Sequence, residues 1–282
     1  EDSAASAVME NLFRIMYQNH PVRNNIAGTV ESIEEITADT LKLCHDAFYD
    51  PSNLIVCVIG DVDAASIIEQ ARKLTPAGKK PQFERCCGAP EPEQVPVRTI
   101  EKQMEIAMPA FAIGFRCPDA GRGADAMRMD LIGEMAGEML VGESSKLYQK
   151  LYDENVIDAD FSVDYERMKG MALLELSGDS EDPRRILREV LAEAARVLET
   201  GVDRVLLARL KKSVTGRRLR ELDGFEGTCY RMCAYYFDGA EYFDYPEIYA
   251  SVTAEDVEQF IRENVKEEQA FLSVITPKRE EE

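Results

Sequence analysis

Histidine, the side chain that most often binds zinc or shuttles protons near neutrality, occurs twice in these 282 residues, at His20 and His45. A helix-borne zinc site needs two imidazoles one turn apart so that both reach one ion. These two lie 25 positions apart (45 − 20). His20 sits beside Pro21 in a turn, and His45 follows Cys44 in a helical stretch. Adjacent helical side chains diverge by about 100°, so Cys44 and His45 do not make a nucleophilic pair. Cys229 and Cys233 have one-turn spacing but no second pair of ligands nearby, which fits small residues turned into a core. Beside Cys86 and Cys87 only Arg85 would lower a thiol pKa, so this pair reads as inert. No Gly-rich phosphate cradle occurs; the GRG at 121–123 is too short to be one. Carboxylates such as Glu189, Glu193 and Glu199 fall on helical faces, and no spacing selects an acid–base pair.

The elements that would position these residues follow from periodicity. Val8, Leu12, Ile15 and Met16 form one helical stripe over residues 4–18. Thr37 offers an N-cap oxygen to a second helix that Pro51 stops. LIVCVIG (54–60) is a short β-branched run that predicts a buried strand, followed by the helix AASIIEQARKL. Five prolines, with Gly78 and Gly88 among them, crowd residues 76–96; this predicts a stiff, extended linker and a domain boundary. Beyond it come two strand-like stretches, VRTIEKQ and MEIAMPAFAIGF, then a long helix over about 123–141. In that helix Gly133 and Gly137, four apart, fit either close packing against a neighbour or merely tolerated glycines. SSKLYQKLYDE predicts a helix, FSVDYER and MALLELSG two adjacent strands. A helix with Ser180 as its cap and Pro183 in its first turn runs to Gly201. One helical stretch covers about 203–237, and AEDVEQFIREN and AFLSVITPK close the chain as helix and strand. The phrases SIEEITADTLKLCHDAF and YASVTAEDVEQFIREN are alike, consistent with two similarly built halves or with the coincidence of two capped helices.

Composition narrows the function classes. Hydrophobic residues make up 45% and charged residues 30%, ordinary for a globular chain. The formal charge of −20 excludes a general nucleic-acid binder and argues against docking on an anionic membrane surface. No stretch reaches the roughly 18 apolar residues of a membrane span, and the opening EDSAASAVMENLF has no signal-peptide pattern. Seven cysteines, an odd number with an adjacent pair, read as reduced thiols and predict a cytoplasmic protein. Composition and spacing alone reach an acidic α/β protein and stop there.

Three stretches resemble the pitrilysin/insulinase family of zinc metallopeptidases, which includes the mitochondrial processing peptidases. The first is NHPVRNNIAGTVESIEEITADTLKLCHDAFYDPSNLIVCVIGDVD, the second VGESSKLYQKLYDENVIDADFSVDYE, and the third the closing DYPEIYASVTAEDVEQFIREN with AFLSVITPK. The resemblance implies an α+β fold of two related units, each a mostly antiparallel sheet with helices packed on one face. Residues 1–75 would be the rear part of an N-terminal unit, 76–96 the linker, and 97–278 a C-terminal, substrate-enclosing unit. In the family, H-x-x-E-H supplies two zinc ligands and a glutamate base, and the metal activates water against a peptide carbonyl. That motif is absent from this sequence, so the resemblance implies neither catalytic residue nor metal ligand here. Zinc is expected only in a longer protein, with a peptide substrate held partly by strand addition to a sheet edge. Family members also carry an Arg and, seven residues on, a Tyr beside the scissile carbonyl; the matching positions here are Tyr152 and Ala159. Tyr148, Tyr152 and Tyr165 are the candidates for the substrate side. The chain is expected to be inactive alone and to work with a missing N-terminal half-unit or a related subunit. The alternative expectation is a non-catalytic peptide-binding or partner subunit of the same family.

Overall fold

A computed structural model describes residues 3–75, 86–92 and 95–278. Most of the Pro-rich stretch expected at 76–96 lies outside the described residues, as does Glu1.

Five strands form one mixed sheet: β1 (Thr99–Met104), β2 (Ala110–Cys117), β3 (Ser162–Met168), β4 (Met171–Asp179) and β5 (Ala270–Pro277). Their order is β1-β5-β2-β4-β3; β1 runs parallel to β5 and the other neighbours are antiparallel. The burial of each strand follows from its place. β2, β4 and β5 are interior strands and read as apolar runs, whereas the outer strands β1 and β3 are largely exposed. β3 and β4 form the expected hairpin, turning at Lys169–Gly170 with Gly170 at φ 87°.

The long helix α5 (Ala124–Val141) lies on one face and closes the main core with Phe111, Ile113, Phe115, Leu174 and Leu176. Its glycines serve close packing. A Cβ on Gly133 would stand 2.4 Å from the Tyr165 ring, and one on Gly137 2.8 Å from Val163. The helix therefore sinks onto β3 as far as its backbone allows. Around it pack α6 (Lys146–Asp153), α7 (Pro183–Thr200), α8 (Arg204–Glu221), α9 (Phe225–Asp238), α10 (Tyr245–Ser251) and α11 (Ala254–Asn264). The first segment carries α1 (Ala4–Met16), α2 (Val30–Glu34), α3 (Ala38–Phe48) and α4 (Ala64–Leu74). No helix among the described residues is long and apolar enough to cross a membrane.

Several expectations need correction. The predicted stripe of α1 is buried, but it packs on the second face of the sheet of residues 97–278, with Leu12 and Met16 over Gly114. Helices thus cover both faces of this sheet. Residues 54–60 form no paired strand among the described residues. They run extended with alternating exposure, Leu54, Val56 and Val58 being open to solvent. The run has the composition of a buried strand but lacks a ladder partner. The stretch 203–237 is two helices, because Leu222, Asp223 and Gly224 turn the chain between α8 and α9. Asp182 caps α7 at the Arg185 N–H (3.0 Å), while Ser180 donates to the Val156 carbonyl (2.6 Å). Cys229 and Cys233 are half-buried on α9 and do not sit in the core.

Candidate functional site

β3 is the last strand of the sheet, so the outward backbone N–H and C=O groups of residues 162–168 have no ladder partner among the described residues. Such an edge is a template for another strand. Two cavities run along it. One of about 590 Å³ follows Val163–Met168 beneath α8 and α9; the other, about 280 Å³, follows Phe161–Asp164 towards α6. Glu138, Val163, Asp164 and Arg217 line both, so the two form one groove along the strand.

The arginines of this groove are already engaged. Arg167, its side chain 9% exposed, meets Asp130 through Nε (2.8 Å) and Nη2 (3.2 Å), and Asp238 through Nη2 (2.7 Å). Burial opposes the guanidinium charge, but the two aspartates hold its pKa above the ordinary value. Arg217 and Arg218 share the Glu134 carboxylate at 2.6 and 3.1 Å, and Arg231 pairs with Glu221. Four carboxylates of the groove remain without an ion pair among the described residues: Glu138 on α5, Glu143 just past its end, and Asp164 and Glu166 on β3. Burial raises the pKa of Glu138 and of Glu166, the latter also through the charge of Asp164. Glu175 lies directly across from Asp164 in the β3–β4 register and is 8% exposed. Burial first, then the Glu166 charge, pushes its carboxyl up to about 7. An open strand edge with uncompensated carboxylates suits an extended chain carrying cationic side chains.

The three tyrosine candidates divide. Tyr148 lines the smaller cavity and stacks on the half-exposed Tyr152 ring, their centroids 6.0 Å apart and planes 9° off parallel. Tyr152 lines neither cavity. Tyr165 borders the larger cavity but leans into the core against Gly133, with Phe260 edge-on at 5.6 Å. Its hydroxyl is buried without a hydrogen-bond partner, and burial raises its pKa. Tyr148 and Tyr165 thus flank one groove. Sequence reading passed over Glu138, Asp164, Glu166 and Glu175, since nothing in a one-dimensional pattern marks which carboxylates lack partners. Glu175 alone carried a signal, as the single charge inside the apolar run MALLELSG.

The donor set does not fit zinc. His20 is buried, its Nε2–H directed at the Lys169 carbonyl (2.9 Å) and its Nδ1 accepting the Val22 N–H (3.1 Å), so both ring nitrogens are used. His45 is exposed and stacks on Tyr49 at 5.2 Å. Among the described residues no group of three or more His, Cys, Asp or Glu side chains converges for a metal ion. The NHP turn serves as a joint: His20 ties it to the β3–β4 hairpin, and Glu91 accepts the N–H groups of Gln18 (2.6 Å), Asn19 (2.9 Å) and His20 (2.7 Å).

Comparison with known proteins adds the following. Residues 35–214 match the family model described as the peptidase M16 inactive domain. The chain is similar to an uncharacterized zinc protease, YmfH, of Bacillus subtilis, with 32% identity over 281 residues covering 96% of this chain and 63% of that protein. It is also similar to the zinc protease PqqE of Helicobacter pylori, at 24% over 75% of this chain and 48% of the relative. Among solved structures, a putative M16-like peptidase from Alicyclobacillus acidocaldarius superposes with a TM-score of 0.91 at 27% identity, covering 98% of this chain and 67% of that one. The chain therefore spans a little under two thirds of the length of the first curated relative.

Proposed function

The chain belongs to the peptidase M16 inactive-domain family, and from that premise we propose that it forms the substrate-enclosing, non-catalytic part of a zinc-dependent peptidase. An extended peptide adds to the free edge of β3, and Glu138, Asp164 and Glu166 favour basic side chains along it. The observation that carries this reading is the open edge itself, lined by a continuous groove whose arginines are spent in ion pairs while four carboxylates are not. Peptide-bond hydrolysis is assigned to a zinc site on residues outside these 282, where H-x-x-E-H would supply ligands and base. The unpaired run 54–59 and the exposed Leu41, Leu43, Val56 and Val58 support a covering partner, taken as the missing N-terminal half-unit. A cytoplasmic location is part of this proposal, supported by the seven cysteines whose odd number and adjacent pair suit reduced thiols.

Fluorescence anisotropy with labelled extended peptides, one rich in Lys and one in Glu, tests the groove. The basic peptide is expected to bind, more weakly as salt rises, and the E138Q/D164N/E166Q variant is expected to lose that binding. Equal binding of the acidic peptide, or an unaffected triple variant, would refute the assignment. A second reading, a partner subunit with no catalytic role in any assembly, is favoured by Tyr152 and Ala159 standing where the family's Arg and Tyr are expected. Joining this chain to an H-x-x-E-H-bearing N-terminal portion separates the two, since only the first reading predicts peptide cleavage.

A further inference from the structure

The register of the β3–β4 hairpin sorts the side chains of the open edge onto two sides. Side chains alternate along a strand, and directly paired residues of neighbouring strands share a side. Val163 and Tyr165 pair with Leu176 and Leu174 and pack against the core beneath α5. Asp164 pairs with Glu175, and Glu166 with Leu173, which belongs to the core on the α1 side. Asp164, Glu166 and Glu175 therefore share the α1 side. There α1 packs over β1, β2 and β5, and Asp164 and Glu166 are open to solvent. The two sides differ in charge. On the α5 side the four arginines of the larger cavity are matched by three carboxylates of α5 and by Glu221 of α8. On the α1 side Asp164, Glu166 and Glu175 have no ion pair among the described residues, and their charges act on one another. Glu175, 8% exposed, stands directly behind Asp164. Arg116 of β2 comes next in the row of Glu166 and Leu173, but its guanidinium is turned to the Pro92 carbonyl (3.0 Å).

We propose that the β3 edge selects peptides by spacing: a cationic residue, one intervening residue and a second cationic residue, read by Asp164 and Glu166. This rests on the reading of the edge as a peptide-binding strand and adds the pattern that the strand recognises. A strand added to β3 in either direction turns every second side chain to the α1 side. Two of these, two positions apart, stand beside Asp164 and Glu166 with Cβ atoms about 5 Å away, within reach of a Lys or Arg head group. The one beside Asp164 also has Glu175 behind it in the same row, so its charge meets two carboxyls. The intervening residue turns to the α5 side over Val163 and Tyr165, where the cavity of about 590 Å³ has room for a large apolar side chain. Adjacent lysines cannot both face the α1 side; one of them is sent to the side where charge is already balanced.

The test uses the whole chain and two labelled Val/Thr peptides of identical composition, one with its two lysines separated by a single Val and one with them adjacent. Anisotropy at low salt is expected to show the separated-lysine peptide binding about fivefold more tightly, the scale of one cross-strand charge pair. D164N and E166Q are each expected to remove that advantage. Each should leave the adjacent-lysine peptide nearly unchanged, since it uses one carboxylate and can slide to the other. E138Q, on the α5 side, is expected to spare the advantage, and N-methylation of the peptide backbone amides to abolish binding of both peptides. Equal affinity of the two peptides, or an advantage that survives both D164N and E166Q, would overturn the proposal. If the peptides bind equally and E138Q/D164N/E166Q still loses them, the spacing rule falls and the basic-peptide groove stands. If neither binds to chain whose melt shows it folded, both fall.

Discussion

Glu175 gives the sharpest prediction, because its environment can be turned into a stability curve. The carboxyl is 8% exposed in β4 and titrates near 7, against an ordinary value of 4.5. Burial is the main cause and the Glu166 charge the second, with a hydrogen bond to Ser177 working the other way. For an acid whose pKa is raised in the folded state, the unfolded chain releases its proton first. Stability is therefore complete below about pH 4.5 and falls as the pH rises through 7, levelling off above it. A shift of about 2.5 units at about 1.4 kcal/mol each amounts to roughly 3 kcal/mol lost between pH 4.5 and 8. Glu175→Gln keeps the shape and the Ser177 contact and removes the charge. The assay is urea unfolding of both proteins at pH 5, 6, 7 and 8, followed by circular dichroism. The two should be close at pH 5, and the variant should be more stable by about 3 kcal/mol at pH 8. Parallel curves for the two proteins, or a variant less stable at pH 8, would show that this carboxyl is not held in its neutral form by the fold.

Related measurements follow from the same structure. Glu166→Gln removes the second cause of the Glu175 shift, so the stability loss should move to lower pH, readable in the same titration. Gly133→Ala puts a methyl into the Tyr165 ring and should cost about 1–3 kcal/mol by overpacking, whereas Gly216→Ala, in open space on α8, should gain up to about 1 kcal/mol; thermal melts compare them. Arg167→Met leaves Asp130 and Asp238 facing each other and should cost about 3–5 kcal/mol in urea unfolding, part of it regained in D130N/R167M/D238N. Val56→Asp, on the exposed face, should leave the melt within about 0.5 kcal/mol of the parent yet abolish co-purification with a separately expressed N-terminal half-unit.

Much was legible from order alone. The spacing of Val8, Leu12, Ile15 and Met16, the cap at Thr37, the hairpin of FSVDYER and MALLELSG and the closing helix and strand all rest on local rules of periodicity and hydrogen bonding, and these elements form. The motifs that carry the family resemblance are contiguous, so they too survive without coordinates, and the family match agrees with them. Local rules fail where the outcome depends on a partner. LIVCVIG has the composition of an interior strand, but a strand needs neighbours to satisfy its backbone, and none of the described residues provides them. The choice between close packing and tolerance at Gly133 and Gly137 was settled by the Tyr165 and Val163 side chains, which lie on another element. The groove belongs to the same class of fact. Which strand ends the sheet, which arginines are consumed by Asp130, Asp238 and Glu134, and which carboxylates are left over are matters of pairing across long sequence separations. A charge's environment is set by distance through space and by exclusion of water, and order along the chain specifies neither.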